Sequence, residues 1–299
     1  MNPTASSAQN LEPASTWLRD RLSPYFLLIR PWQVLIVAVG TMIGALVAGG
    51  QHPIDVAIMV ASTTSLFAAS VTFNDLCNVR EDQINSPQRP LAVGSARTDL
   101  AVIQSTLLFF LGSLFAAMVS LPCGLAAIAV TMLSIAYSLR LKGVPLLGNL
   151  VVACVSAYAI GCWLFAAPLS EQLVWGVVLL GTIRLGGEII KTAEDESGDS
   201  IAGLQTIATR IGAQRAHGLG LLLLTTAVLA SVLALQSPWR LGVYLAAGLV
   251  NATLLAYGVT ALHHIVGEKE LGTRLVTVER GITGVFMTGL LLDALLVHA

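Results

Sequence analysis

The chain has 299 residues, 55% of them hydrophobic and only 11% charged, with a formal net charge of −1. Soluble domains carry about 25% charged residues, so this composition, with a mean hydropathy of +0.79, excludes an ordinary soluble domain and indicates a polytopic membrane protein. The near-neutral balance provides no basic field, so nucleic acid is not an expected partner.

Residues 1–15 are polar and lack the basic start and apolar core of a signal peptide, so they read as a tail. Residues 16–30 read as an amphipathic lead-in at the membrane interface. The expected organisation is therefore a tail and lead-in over 1–29, followed by an all-α transmembrane domain over 30–299. A helix needs about 20 apolar residues to cross a bilayer. Nine segments meet that length, near 32–50, 54–73, 100–118, 122–139, 147–167, 173–190, 216–235, 240–262 and 278–297. Their ends are punctuated by Gly49, Gly50, Pro53, Pro122, Pro145, Pro168 and Pro238. The cysteines Cys77, Cys123, Cys154 and Cys162 show neither CxxC nor zinc spacing and read as small hydrophobes.

The connections alternate. Those at 51–53, 119–121, 168–172 and 236–239 are short and nearly uncharged, whereas 74–99, 140–146, 191–215 and 263–277 hold most of the charge. Of the 16 Lys and Arg, only Arg240 falls on the side of the short loops. Excess Lys and Arg mark the cytoplasmic side, which places the N-terminus and the long loops inside and the C-terminus outside. The localisation expected is a bacterial inner membrane. Among acidic residues, only Asp55, Glu171 and Asp293 lie on the outer side, so the chemistry is expected at the cytoplasmic rim.

Two polar stretches stand out there. In Asn74–Leu91 (NDLCNVREDQINSPQRPL), Asn74, Asn78 and Asp82 recur at intervals of four. If the second segment continues as a helix past Phe73, they line one face. Such a row of oxygens suits Mg²⁺, which keeps several waters and binds through substrate phosphates. Arg89, between Pro87 and Pro90, is placed to reach back to an anion. The second stretch gives Glu188, Lys191, Asp195 and Asp199 at helical spacing, a stripe with two carboxylates and a cation for phosphate. Arg140 and Lys142 follow the fourth segment on the same side, either as snorkelling anchors or as partners of a diphosphate. The charged run 267–281 reads as a connector or a lid.

These residues resemble the UbiA superfamily of intramembrane prenyltransferases. NDLCNVRED is similar to that family's NDxxDxxxD, INSPQRPL to its INxPxRP continuation, DESGDSIAGLQT to its DxEGD motif, and YSLRLK with Gly148-Asn149 to its YSxxLK…GN. Arg30-Pro31 resembles the family's RPxN opening, with Gln33 in place of Asn. The spelling EIIKTAEDESGD looks nearest to the geranylgeranylglyceryl-phosphate branch. The departures are Asn78 in place of Asp, the added Arg80, and Thr192 where that branch often has Asp.

The resemblance implies a Mg²⁺-dependent enzyme that ionises a polyprenyl diphosphate and alkylates an aromatic or lipid-like acceptor within the membrane. It implies metal ligation by Asn74, Asn78, Asp82, Asp195 and Asp199, with Asn74, Asp82, Asp195 and Asp199 as the catalytic set. Diphosphate contacts would come from Lys142, Lys191, Arg140, Arg89 and Arg80, and Tyr137 and Trp163 are candidates for facing an allylic cation. Two other functions remain open at this point. One is a terpene cyclase acting without an acceptor. The other is a non-catalytic membrane binding protein or transporter.

Overall fold

The structure, a computed structural model, describes residues 22–201, 203–233, 238–264 and 268–298. The tail expected over 1–15, the first part of the lead-in and part of the 236–239 connection lie outside these residues. Among the described residues every regular element is helical. The α-helices are α1 Leu22–Leu28, α2 Pro31–Val47, α3 Pro53–Cys77, α4 Val79–Asn85, α5 Thr98–Val119, α6 Leu121–Leu139, α7 Leu147–Gly161, α8 Glu171–Glu194, α9 Glu196–Ile201, α10 Ile207–Ile211, α11 Ala213–Leu233, α12 Pro238–His264 and α13 Glu268–His298. Short 3₁₀ turns cover Leu141–Gly143 and Cys162–Phe165.

The helices begin where the sequence supplies a cap. Ser120 accepts from the Cys123 amide at the start of α6, and Ser170 accepts from the Leu173 amide at the start of α8. Pro53 and Pro122 sit in the first turns of α3 and α6, where a missing N–H costs nothing.

Each predicted apolar segment overlaps one of these helices. Six spans are long and apolar enough to cross a membrane by length and composition among the described residues: α3, α5, α6, α7 continued to Phe165, α8, and Glu270–Leu295 of α13. The α1–α2 pair, bent by 45°, makes a seventh if taken as one span. Large apolar side chains on α5 (Leu107, Phe110, Leu114, Met118) and α6 (Leu125, Ile128, Met132) point away from the protein. That surface is suited to hydrocarbon, where helices satisfy their own backbone polar groups. The chain is a multi-pass membrane protein.

The long helices close a ring in the order α2, α3, α5, α6, α7, α8, α11, α12, α13, with α13 returning to α2 and α2 also touching α7. Inside lie Met59, Leu66, Ile160, Trp163, Leu224, Leu275 and Ile282. Lipid offers no hydrophobic drive between helices, so close backbone approach and buried hydrogen bonds do the joining. A Cβ on Gly186 would meet the Gly220 carbonyl at 2.9 Å, and one on Gly220 would meet the Gly186 carbonyl at 2.8 Å. Helices α8 and α11 therefore cross backbone to backbone. The hydroxyls of Thr41 and Thr63 share a 2.7 Å bond between α2 and α3, and Ser62 donates to the Gly112 carbonyl at 2.7 Å.

The charged run 267–281 is, over its described part, the opening of α13 rather than a separate lid. Within it Glu279 is buried and accepts from Arg184 Nη1 at 2.6 Å, tying α13 to α8.

Candidate active site at the helix rim

The two polar motifs are built by the same device. A long helix ends, a single residue intervenes, and a short helix restarts. On the first side the break is Asn78 (φ −112°, ψ 21°), between α3 and α4. On the second it is Asp195 (φ −83°, ψ −1°), between α8 and α9. The expected continuous stripes are therefore broken in the middle. The amide-to-carbonyl ladder nevertheless continues through both breaks, from Asn78 to Asn74 (3.1 Å), Asp82 to Asn78 (2.9 Å), Asp195 to Lys191 (3.0 Å) and Asp199 to Asp195 (2.9 Å). Four-residue spacing keeps its meaning, and the motif residues still face inward. The short helices α4 and α9 pack against each other. A Cβ on Gly198 of α9 would meet the side-chain amide of Asn85 on α4, so the glycine lets the two restarts meet with that amide in place.

Between them lies a polar cleft of about 630 Å³, its open mouth included. It is lined by Asn74, Asn78, Asp82 and Arg89 from the first motif and by Glu188, Lys191, Thr192, Asp195 and Asp199 from the second. Lys142, Tyr137, Asn149, Glu81 and Asn85 also line it. All five expected metal-ligating residues thus converge, with Lys142, Lys191 and Arg89. Arg80 and Arg140 are exposed and lie outside the lining. Trp163 is also away from it: it is fully buried and donates through Nε1 to the Thr41 carbonyl at 2.8 Å. Tyr137 is the candidate aromatic that reaches the cleft.

The first side is tightly paired. Arg89 Nη1 donates to Asp75 Oδ1 (2.9 Å) and to both oxygens of Asp82 (2.7 Å each). Arg30, held at a left-handed φ of 54° between α1 and α2, donates to Asp75 Oδ1 at 2.6 Å. Asn78 Nδ2 donates to the Asn74 carbonyl and to Asn74 Oδ1, both at 2.8 Å. Lys142 Nζ donates to Asn78 Oδ1 at 3.2 Å and pairs with Glu81.

The second side is open. Asp199 is 2% exposed, and its Oδ1 has no hydrogen-bond partner among the described residues. Burial pushes its carboxyl up to about 6 even with Lys142 pulling it down. Burial also raises Asp82, against the opposing pull of Arg89. A buried carboxylate oxygen without a partner is expensive and fits a cation. Among the described residues no three Asp, Glu, His or Cys side chains converge closely enough to hold an ion unaided. Such a donor set suits Mg²⁺ bound jointly by protein and phosphate oxygens.

The UbiA prenyltransferase family matches residues 36–272. The chain belongs to that family. It is 33% identical over 208 residues to the digeranylgeranylglyceryl phosphate synthase of Methanosarcina mazei, covering 66% of this chain and 71% of the relative. It is 33% identical over 236 residues to the synthase of the same name from Thermococcus kodakarensis, covering 76% and 82%. In fold it is similar to a UbiA homolog from Archaeoglobus fulgidus bound to GPP and Mg²⁺, at 17% identity and a TM-score of 0.65, covering 89% of this chain and 99% of that one. These relatives are archaeal, whereas the expectation from sequence was a bacterial membrane.

In this UbiA-family prenyltransferase, Asp75 is noticeable from sequence beside Asn74 but was given no role there, and Glu81 and Asn85 were not singled out as builders of the site. Asp75 stands out in hindsight, as an acid inside an apolar helix end must find cations, and Arg30 and Arg89 are those cations. Glu81 is three residues beyond Asn78, on the same face. Asn149, noted only as part of a motif, donates to the Glu188 carbonyl (3.1 Å) and to Thr192 Oγ1 (2.7 Å), fixing α7 against α8 beneath the cleft.

Proposed function

We infer that this enzyme transfers a prenyl group from a polyprenyl diphosphate to a hydroxyl of a lipid-like glyceryl phosphate, with Mg²⁺ required. The observation that carries the reading is the charge of the cleft. Five carboxylates (Glu81, Asp82, Glu188, Asp195, Asp199) face three cations (Arg89, Lys142, Lys191). A diphosphate cannot settle against that excess without divalent counter-ions. The acceptor class rests on the relatives, whose name is that of a prenylated glyceryl phosphate synthase; it replaces the wider choice of aromatic or lipid-like acceptors.

In this reading Asn74, Asn78, Asp82, Asp195 and Asp199 hold the metal, and Mg²⁺ when bound neutralises the diphosphate and makes it a better leaving group. Lys142 and Lys191 face the remaining phosphate oxygens. Arg89 acts chiefly through Asp75 and Asp82. The exposed Arg80 and Arg140 have no contact role in the cleft. The allylic C–O bond breaks, and its electron pair leaves with the diphosphate. The acceptor hydroxyl oxygen then bonds to the allylic carbon, and its proton passes to the released diphosphate. The apolar ring of helices below the cleft houses the prenyl tail and keeps water from the cation. The one-sided distribution of Lys and Arg supports nine spans over 30–299, with this rim in the cytoplasm and the C-terminus outside.

The test is to incubate membranes containing the chain with prenyl diphosphates of several lengths and a lipid extract, and to identify products by mass. A prenyl ether of a glyceryl phosphate, formed only with Mg²⁺ and lost in Asp82→Ala and Asp195→Ala, is expected. Wild-type turnover in Asp195→Ala would show the site to be misassigned. A cyclic hydrocarbon made without acceptor would replace the transferase reading with a cyclase.

A further inference from the structure

Glu81 is a carboxylate in the cleft that neither the motif spacing nor the family comparison assigns. It lies on α4, three residues after the helix break at Asn78. An acidic residue there is commonly a capping-box partner, reaching back to the backbone amide at the start of its helix. Glu81 does not do this. The Asn78 amide is bonded to the Asn74 carbonyl at 3.1 Å, and no side chain caps α4. The Glu81 carboxylate instead points into the cleft, where it pairs with Lys142 and is 15% exposed.

The same ammonium touches Asn78 Oδ1 at 3.2 Å. Asn78 Oδ1 and Glu81 therefore converge on one cation, the first neutral and the second charged. The Asn78 amide is committed at both ends, since its Nδ2 holds Asn74. Asp82, one residue further, has both oxygens engaged by Arg89, a guanidinium that is itself shared with Asp75. Glu81 is thus the carboxylate on this side whose partner is a single flexible lysine. Arg80 is exposed and outside the lining, so it does not take the place of the charge missing at 78. Across the cleft stands the independent sign of a ligand, the buried Asp199 Oδ1 with no partner among the described residues.

We propose that Glu81 supplies the carboxylate that position 78 lacks, serving as a ligand to the divalent cation that accompanies the diphosphate. Lys142 and Glu81 pair in this structure. When the metal and diphosphate enter, they exchange partners: the ammonium turns to phosphate oxygens, and the carboxylate to the metal. Asn78 keeps the geometry of the break through Asn74 and contributes at most its amide oxygen. The charge normally expected at the break has moved three residues along one helix face. This proposal rests on the metal–diphosphate reading given above.

The experiment uses full-length protein in detergent, with Mn²⁺ and inorganic pyrophosphate as probes, and measures binding by calorimetry and by the Mn²⁺ electron paramagnetic resonance signal. Glu81→Gln is expected to weaken Mn²⁺ binding in the presence of pyrophosphate by about 10- to 100-fold, the range seen when support for a metal site is lost. Asn78→Asp added to Glu81→Gln is expected to restore affinity to within about threefold of wild type. Lys142→Met removes the competing ammonium, and is expected to tighten Mn²⁺ binding measured without pyrophosphate. A carboxylate that merely positions Lys142 would give none of these gains. Wild-type affinity in Glu81→Gln, or no recovery in the double variant, would overturn the proposal while leaving the site intact, provided Asp199→Ala abolishes binding. Absence of any Mn²⁺–pyrophosphate binding in the wild type would overturn this proposal together with the function it rests on.

Discussion

The two halves of the rim share a construction and differ in what their charges do. On the α3–α4 side, Asp75 and Asp82 are bound to Arg30 and Arg89, and the Asn74–Asn78 pair is closed by hydrogen bonds. On the α8–α9 side, Asp195 and Lys191 form no side-chain ion pair among the described residues, and Asp199 keeps an oxygen without a partner. One motif holds itself together; the other waits for something to hold. Similar motif spellings therefore do not imply similar roles. Removing Asp75, which only holds Arg30 and Arg89, should cost structure, and removing Asp195 or Asp199 from the open half should cost binding.

The largest expected effect breaks that contrast if it fails. Asp195→Ala should lower turnover roughly 1,000-fold, the upper range for loss of one preorganised electrostatic contact, with no loss of melting temperature in detergent. Asp199→Ala should do the same and leave stability unchanged or higher, because a buried oxygen without a partner is removed. Next comes the paired half. Asp75→Asn leaves Arg30 and Arg89 short of a counter-charge. Asp75 is 3% exposed and the two arginines are 25% and 21% exposed, so the loss should be about 3 kcal/mol, the low end for breaking a buried pair. It should appear as a lower melting temperature before any assay is run. Were Asp75→Asn as stable as wild type and inactive, the division between building and binding would be wrong. Smaller still is Gly198→Ala. Its Cβ would drive into the Asn85 amide, and forced overpacking costs about 1–3 kcal/mol. Because α4 and α9 meet there, both halves should weaken together, which chemical denaturation and Mn²⁺ binding would each register.

Much of this was legible in the sequence, for a physical reason. Apolar length in a bilayer is a strong signal, so the predicted segments overlie the helices. Oxygen-bearing residues four apart converge whether or not the helix is perfect, so Asn74, Asn78, Asp82, Asp195 and Asp199 come to line one cleft. The breaks at Asn78 and Asp195 were not legible, because a one-residue interruption changes no spacing while the ladder runs through it. Partners distant in sequence were also hidden. Arg89 was seen as a free cation for an anion, yet it is spent on Asp75 and Asp82. The Arg184–Glu279 pair joins residues 95 apart. Tyr137 and Trp163 looked equivalent as aromatics, and only packing separates a residue lining the cleft from one in the core.

That last separation yields the smallest test. Trp163 fills the junction of α2 and α7, where a Cβ on Gly44 would already touch its ring at 2.8 Å. Its indole N–H gives the Thr41 carbonyl a partner beyond the bond that carbonyl makes within α2. Trp163→Phe keeps an aromatic ring but deletes that donor and some volume. A buried hydrogen bond is worth about 1 kcal/mol net, so the melting temperature should fall modestly. Turnover and Mn²⁺ affinity should not change, because the residue lies outside the cleft lining. Tyr137→Phe is the reciprocal case: its ring stays, its hydroxyl leaves the cleft lining, and any effect should appear in turnover rather than in stability. If Trp163→Phe slowed turnover instead, the assignment of this tryptophan to the core alone would have to be given up.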